Sequence, residues 1–474
     1  MPKRMPRKHS DLLLSRRDLM RALGATAIAG LPGYGAAGVG PPSASTAKII
    51  DGYTDQQSYR PGDPVTLFLN AAAPQRAVMY LYDYTGRRVY EFSADLFPQK
   101  AVGPKPWETG FGYRASVSFT LPRLPSGVYL VEGLIPLIVK PLMPLMGRRG
   151  PARHAEVVIV YPTNTVAAYT SSGGKSMYSA PTPAPIVSFH RPAGPATLNF
   201  FSAFLEWFAS IQFPYSVGYL ADIDLEDYNE ISGSKVLVVI GHSEYWTRRA
   251  RENFDQFVLD GGNALLLSGN NMWWQARYSD DHSQLICYKR AHDPVADPLL
   301  RTINWPTPSL NYPTLLSIGA DFPHGGFGIA YPDKGSGFRV LSPTSPVFRG
   351  LFIRSGDLLS MPTVEYDGAP LLNNPVTVGA PRLNLSALGA FRAEIIGYQH
   401  CARNDTAVGV GSAAENVGTW LVYQRTGTSG VVMNGASTNW CSRTGAFGSD
   451  GFRIRAIILN MLEILVKKES AFVS

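Results

Sequence analysis

A strand–helix–strand pattern near the middle of the chain restricts its fold more than any other sequence feature. The apolar run 235–240 is followed by Thr247, a good helix N-cap, then by apolar residues at helical spacing, and then by the apolar run 264–267. The same alternation extends along the chain, with strand patterns at 157–161 and 215–219, helical patterns at 197–210 and 452–467, and an irregular, strand-rich stretch at 300–420. The sequence therefore predicts an α/β fold with a doubly wound parallel sheet over residues 151–474.

The segment 48–150 has a different pattern. Turn-forming residues separate short alternating strands at 64–69, 78–82, 115–120 and 127–131. This spacing is typical of a β-sandwich, a kind of module that usually positions or docks something. We predict a small β-sandwich domain at 48–150 that precedes the α/β domain and carries no catalytic residue.

One apolar stretch, 128–146, resembles a membrane segment in composition only. Glu132 and Lys140 interrupt it, and prolines at 136, 141 and 144 would break a helix. We therefore expect no membrane span, and interpret this stretch as the end of a strand followed by an apolar, proline-rich surface loop.

The first 47 residues have the parts of an export signal. Paired arginines, Arg16 and Arg17, precede a weakly apolar run and then small residues. Residues 1–30 hold seven lysines and arginines against two aspartates, so most of the net charge of +7 lies there and the remainder is close to neutral. We expect a periplasmic or secreted protein exported by the twin-arginine pathway, a route that carries folded and often cofactor-loaded proteins, and no nucleic-acid partner.

Polar side chains follow three of the predicted parallel strands. Tyr169 and Tyr178 come after the strand at 157–161, His242 and Glu244 after the strand at 235–240, and Asn270 after the strand at 264–267. In an open parallel sheet, ligands bind beyond the carboxyl ends of the strands. The sequence therefore predicts a polar site where these loops converge.

Other motifs near these strand ends are incomplete. Residues 173–176, GGKS, lack the first glycine of a P-loop, because Tyr169 stands in its place. Residues 241–245, GHSEY, follow a strand pattern and open a helix pattern, which is the context of a nucleophile elbow. Tyr245 replaces the second glycine of that motif, which counts against Ser243 as a nucleophile without excluding it. The three cysteines allow at most one disulfide and have no zinc-site spacing.

The region from about 155 to 465 resembles the large subunit of N,N-dimethylformamidase and its broader family, whose α/β domain is similar to class I glutamine amidotransferases. The most specific matching segment is 241–246, GHSEYW. Shorter matches occur in the same order along the chain, at 162–165 (PTNT) with Tyr169 and Tyr178, 189–192 (FHRP), 221–225 (ADIDL), Gly269 and Asn270 with Trp273, Trp274 and Arg277, and 287–289 (CYK).

The resemblance implies a mononuclear non-haem iron held by Tyr169, Tyr178 and Glu244, and this donor set suits Fe(III). Phenolate and carboxylate are hard oxygen donors, and three protein ligands leave positions for water and substrate. It also implies that Glu365 serves as a general base or holds the attacking water. The further residues that it implies, which orient the substrate and stabilise the oxyanion, are His242, Asn270 and Lys289.

The leading hypothesis is thus an iron-dependent hydrolase of the C–N bond in a small-molecule amide. Alternatives are serine-type hydrolysis through Ser243, a non-catalytic ferric-ion-binding protein, and a binding module in which the β-domain is the working part. Each proposed ligand can also have a purely structural role. A tyrosine can be a packing residue, and Glu244 can be a carboxylate stabilised by the dipole of a nearby helix N-terminus. Trp273 and Trp274 are interpreted as core or pocket wall, and the sequence leaves homo-oligomerisation open.

Overall fold

The computed structural model describes residues 49–142, 154–194, 199–328, 336–373, 379–402 and 415–473. All of them belong to one compact unit, Ser45–Ser474. The twin-arginine segment and the proposed domain boundary at 150 lie outside the described residues, so both stay predictions. No helix within the described ranges is long and apolar enough to cross a membrane.

The N-terminal part consists of two antiparallel sheets. Its elements are β1 (Ile49–Thr54), β2 (Pro64–Ala71), β3 (Gln75–Tyr82), β4 (Arg88–Leu96), α1 (Pro106–Thr109), β5 (Val117–Thr120), β6 (Gly127–Val131) and β7 (Ile135–Val139). One sheet has the order β1-β2-β5 and the other the order β4-β3-β6-β7. Alternate side chains of both sheets, such as Leu67, Met79 and Val131, fill one shared core.

The predicted surface loop after β6 is partly wrong. Ile135–Val139 forms β7, which pairs with β6 along its whole length and buries Leu137 and Val139. Pro136 is tolerated because β7 is the last strand in the order of its sheet, where a missing backbone donor leaves no ladder partner unpaired. Residues 143–146 of the same stretch lie outside the described ranges.

The larger part alternates strands and helices. Its first half contains β8 (Val157–Tyr161), α2 (Thr163–Tyr169), β9 (Ile186–Ser188), α3 (Ser202–Ser210), β10 (Val217–Ala221), β11 (Val236–His242), β12 (Tyr245–Thr247), α4 (Arg248–Leu259), β13 (Asn263–Gly269), β14 (Trp274–Tyr278) and β15 (Gln284–Ile286). Its second half contains α5 (Leu315–Ile318), β16 (Asp321–Phe327), β17 (Gly337–Val340), β18 (Leu358–Ser360), β19 (Glu365–Gly368), α6 (Leu385–Leu388), β20 (Arg392–Ala402), β21 (Glu415–Gln424), β22 (Val431–Asn434), α7 (Arg443–Ala446) and α8 (Gly451–Lys467).

A mixed sheet of eleven described strands forms the centre of this part. Five parallel strands stand in the order β10-β8-β11-β13-β22, and antiparallel strands β21, β20, β16 and β19 continue it, with β17 and β18 off that path. Along β11, Val236, Val238 and Ile240 face a core that includes α3 and α8. Leu237 and Val239 face another core that includes α4. The predicted α/β arrangement, with helices on both faces of a parallel sheet, is therefore present.

The three cysteines, Cys287, Cys401 and Cys441, are all free and buried. Burial raises the pKa of the Cys287 thiol to about 12. The single disulfide that the sequence allowed is therefore not formed among these three residues. The cysteines act as small apolar core residues.

Candidate metal centre

The predicted site residues converge beside the carboxyl ends of β8 and β11. These strands are neighbours, but the chain leaves β8 for β10 on one side of the sheet before it returns to β11 on the other. Loops that diverge in this way leave a crevice at the point where the strand order reverses. Tyr169 ends α2, directly after β8, and His242 is the last residue of β11.

Three oxygen-bearing side chains meet in this crevice. The hydroxyl of Tyr169 donates to Oε2 of Glu244 at 2.9 Å, and the hydroxyl of Tyr178 lies 2.6 Å from both Oε1 and Oε2. The two phenol rings are 4.4 Å apart. Glu244 is completely buried, whereas both tyrosines are half-buried. The proposed ligands therefore lie close enough together to share one ion.

A buried arginine supports the segment that carries both tyrosines. The guanidinium of Arg191 donates to the backbone carbonyls of Ala167, Ser172 and Lys175 at 2.7 to 2.9 Å. Arg191 is 4 % exposed, and burial lowers its pKa to about 10. Since one planar cation binds both ends of the turn between Tyr169 and Tyr178, the two phenols are held side by side.

The imidazole of His242 lies between the cluster and Glu365. Its Nδ1 is 3.1 Å from the carbonyl of Gly269, which only accepts, so Nδ1 carries the proton of a neutral ring. Nε2 is then the acceptor. It lies 3.0 Å from the Tyr169 hydroxyl, which shares its single proton between Nε2 and Oε2 of Glu244, and 3.5 Å from Oε2 of Glu365. The backbone thus fixes which face of the ring can receive a proton.

Glu365 and Asn270 face the cluster from β19 and the end of β13. Asn270 has a left-handed backbone, with φ of 49°, and its amide donates to Oε2 of Glu365 at 3.0 Å. The preceding residue, Gly269, approaches β19 closely: a Cβ there would lie 2.8 Å from the carbonyl oxygen of Glu365 and 2.6 Å from the amide nitrogen of Thr438. Glycine is therefore required for β13 and β19 to meet.

Lys289 lies on the outer side of the tyrosines. Its ammonium donates to the carbonyl of Met177 at 2.8 Å and lies 3.5 Å from the ring centroid of Tyr178. A cation over an aromatic face is attracted to it. All seven predicted site residues are therefore neighbours, and their roles remain predictions.

Two further side chains contact the cluster that the sequence analysis did not assign to it. The Tyr245 hydroxyl donates to the Tyr178 hydroxyl at 2.7 Å, and the Trp274 indole donates to Oε1 of Glu244 at 2.9 Å. They come together because β12 and β14 pair in parallel, with Tyr245 opposite Trp274. The only sequence signal for these two residues was their place in aromatic motifs. Aromatic residues at such positions usually pack in cores, so that signal did not indicate a contact with the ligands.

The expectation that residues 241–245 open directly into a helix is wrong, whereas the helix cap predicted at Thr247 is confirmed. Tyr245–Thr247 forms the short strand β12, and α4 begins only at Arg248, where Thr247 accepts from the amide of Ala250. A nucleophile elbow requires the serine on a strand-to-helix turn. The Ser243 hydroxyl instead accepts from the indole of Trp246 at 2.9 Å, and Glu244 is not at a helix N-terminus.

A buried acid lies behind this layer. Asp367, on β19, is fully buried and accepts from the side-chain amide of Asn271 at 2.7 Å. Burial raises the pKa of Asp367 to about 7, although the hydrogen bonds from Asn271 act in the opposite direction. Asp367, two residues from Glu365 on β19, is therefore largely protonated only below neutral pH.

A large cavity lies apart from the cluster. It measures about 1130 Å³ and lies between β1 and β7 on one side and α2 on the other, with Thr163, Val166 and Thr170 in its wall. Tyr169, on another face of α2, does not line it. In the described ranges, no group of three or more histidine, cysteine, aspartate or glutamate side chains is placed to hold a metal, so any ion here would depend on the phenols.

The chain was compared with known protein families. A sequence model of the family described as N,N-dimethylformamidase beta subunit-like, C-terminal, matches residues 79–446. The chain belongs to this family. The dimethylformamidase resemblance seen in the motifs is thereby confirmed, and the family match begins earlier than expected, within β3 of the N-terminal sheets. No curated protein matches the chain.

Proposed function

We propose that this protein is an iron-dependent hydrolase of the C–N bond in small-molecule amides. Membership of the dimethylformamidase-like family implies hydrolysis of an amide C–N bond. The observation that carries the metal assignment is the contact of Tyr169, Tyr178 and Glu244 through oxygens 2.6 to 2.9 Å apart.

The chemistry of these donors fits Fe(III). Two phenolates and one carboxylate are hard ligands and carry three negative charges together, which would balance a trivalent ion. The hydroxyls of Tyr169 and Tyr178 hold protons in the hydrogen bonds to Glu244, and loading the ion requires that these protons leave. The bound ion would supply Lewis acidity, which polarises an amide carbonyl and lowers the pKa of water.

The remaining side chains suit the proton transfers of hydrolysis. Glu365 would accept a proton from the attacking water, because its carboxylate faces His242 and is oriented by the amide of Asn270. His242, with Nδ1 bound to the Gly269 carbonyl, would present Nε2 toward the reacting groups. The ammonium of Lys289 would place a positive charge beside Tyr178. Negative charge develops on Tyr178 when its hydroxyl loses its proton.

The alternatives differ in what they explain. A ferric-ion-binding protein would need the three ligands but not the row of Glu365, Asn270 and His242 beside them, which favours catalysis. Serine-type hydrolysis requires a base next to the Ser243 hydroxyl, whereas the hydrogen bonds of His242 lead to Gly269 and Tyr169.

We further propose an amidotransferase-like fold for the α/β part and export by the twin-arginine pathway.

Elemental analysis and visible spectroscopy of the purified protein test the proposal. We expect one iron per chain and a phenolate-to-Fe(III) charge-transfer band, with turnover of a panel such as formamide, acetamide and N,N-dimethylformamide. Glu244→Ala should lose both iron and activity, and the isosteric Glu244→Gln should weaken both. Ser243→Ala should keep both. Full iron in Glu244→Ala would refute the ligand assignment, and loss of turnover with unchanged iron in Ser243→Ala would favour serine chemistry.

A further inference from the structure

Two buried side chains, Tyr245 and Trp274, donate hydrogen bonds to the oxygens of the cluster. Tyr245 is 1 % exposed and Trp274 is 3 % exposed, so water does not compete for their hydrogen bonds. The tyrosine donates to the oxygen of Tyr178, and the indole donates to Oε1 of Glu244. An indole N–H can only donate, so this contact persists whatever the protonation state of the cluster.

The two oxygens of Glu244 are therefore not equivalent. Oε1 receives the Trp274 hydrogen bond, whereas Oε2 faces the Tyr169 hydroxyl at 2.9 Å and lies 3.6 Å from Nε2 of His242. Oε2 is the oxygen that faces Tyr169 and His242, whereas the Tyr178 hydroxyl lies 2.6 Å from both oxygens. Trp274 thus fixes the rotation of the carboxylate and leaves Oε2 for an ion.

The oxygen of Tyr178 is held in a comparable way. The Tyr245 hydroxyl points its proton at that oxygen from 2.7 Å, and the Lys289 ammonium lies over the same ring. A hydrogen bond to a phenolate stabilises its lone pairs and makes it a weaker electron donor.

We propose that Tyr245 and Trp274 are positioning residues for the metal centre, with separate effects. Tyr245 sets the electron-donating strength of Tyr178, and Trp274 holds Glu244 in a one-oxygen binding mode. The inference rests on the proposed function, since it concerns the same ligands. Hydrogen-bond partners of metal ligands typically change metal affinity by about 10- to 100-fold when they are removed.

The test compares Tyr245→Phe and Trp274→Phe in the full chain loaded with iron. Tyr245→Phe should keep its iron and move the phenolate charge-transfer band to longer wavelength, because the phenolate becomes a stronger donor. Trp274→Phe should leave the band nearly in place and weaken iron about tenfold or more in competition with a chelator. Circular dichroism and thermal unfolding verify that each variant is folded.

Matched controls come from two other aromatic residues. Tyr312→Phe removes a hydroxyl that donates to Asp255 at 2.7 Å, in a different hydrophobic core from the cluster, and Trp273→Phe removes the indole next to Trp274. Neither should change the band position or iron affinity. An unshifted band in Tyr245→Phe, or wild-type iron affinity in Trp274→Phe, overturns the corresponding role. A wild-type protein with no such band overturns the iron assignment itself, which separates the two failures.

Discussion

His242 and Glu365 approach each other from different sheet strands, with Nε2 of the imidazole 3.5 Å from Oε2 of the carboxylate. Both side chains are buried, at 3 % and 7 % exposed. Because Nδ1 of His242 is bound to a carbonyl, the proton of the neutral ring points away from Glu365. Glu365 therefore keeps its acceptor capacity for a proton that arrives with the reaction.

The general-base role predicts a specific loss in Glu365→Gln. The amide keeps the shape of the side chain but cannot accept a proton, so kcat should fall about 100-fold or more while the iron content stays unchanged. Steady-state kinetics and elemental analysis on the same preparation measure the two effects. Glu206→Gln, an exposed carboxylate on α3, is the control, and activity near wild type in Glu365→Gln would exclude the role.

Arg191 should control iron retention without touching the ligands. Arg191→Met removes every hydrogen bond from the guanidinium to the turn that carries Tyr169 and Tyr178 and leaves buried carbonyls without donors. We expect thermal destabilisation and at least tenfold weaker iron binding, measured by chelator competition. Arg249→Met, whose guanidinium donates to one exposed carbonyl, should change neither, and equal effects in both variants would contradict the assignment.

Asp222 predicts a pH dependence of stability. Burial raises its pKa from 3.8 to about 7, so the folded state holds a proton that the unfolded state has lost across this range. Its contribution to stability is therefore greatest at low pH and declines as pH rises from about 4 to 7. Relative to the wild type, Asp222→Asn should be more stable at pH 8 than at pH 5 by roughly 2.5 kcal/mol. Urea unfolding at both values measures this, and a pH-independent difference would contradict it.

Lys140 links the N-terminal sheets to the α/β part. Its ammonium contacts Asp224 at 2.7 Å and Glu230 at 3.2 Å, and their attraction raises its pKa although burial acts against the charged form. Lys140→Met should cost about 3 kcal/mol, because it leaves buried carboxylates less compensated. Lys235→Met, which breaks an exposed pair with Glu156, should cost about 1 kcal/mol or less. Similar losses in denaturant unfolding would argue against a specific link.

The sequence predicted those elements that have a strong local pattern. β8 was predicted at its observed bounds, and α4 with its Thr247 cap and the C-terminal helix were predicted closely. β4 was missed and β7 was taken for a loop, because their formation depends on pairing with distant strands more than on local propensity. The short strand β12, which separates residues 241–244 from α4, was missed for the same reason, because it exists through pairing with β14.

The site was predictable only in part. The predicted strand ends indicated that the loops with Tyr169, Glu244 and Asn270 form the site. The family resemblance then identified the particular site residues within these loops. Nothing local in the sequence indicated that Tyr245 and Trp274 donate to the cluster, since an aromatic side chain by itself gives no sign of its hydrogen-bond partner. Glu365 lies on β19, more than 90 residues from Asn270, and only the fold brings them together.

Gly269 has no functional group, yet the distance between His242 and Glu365 depends on it. A methyl group at this position would collide with the backbone of β19 and of residue 438, and relief of the collision would move Glu365 away from the imidazole. A search that compares only catalytic side chains would judge such a protein intact although its reacting groups no longer met. The absence of a Cβ at residue 269 is therefore as informative about the site as the acids and phenols themselves.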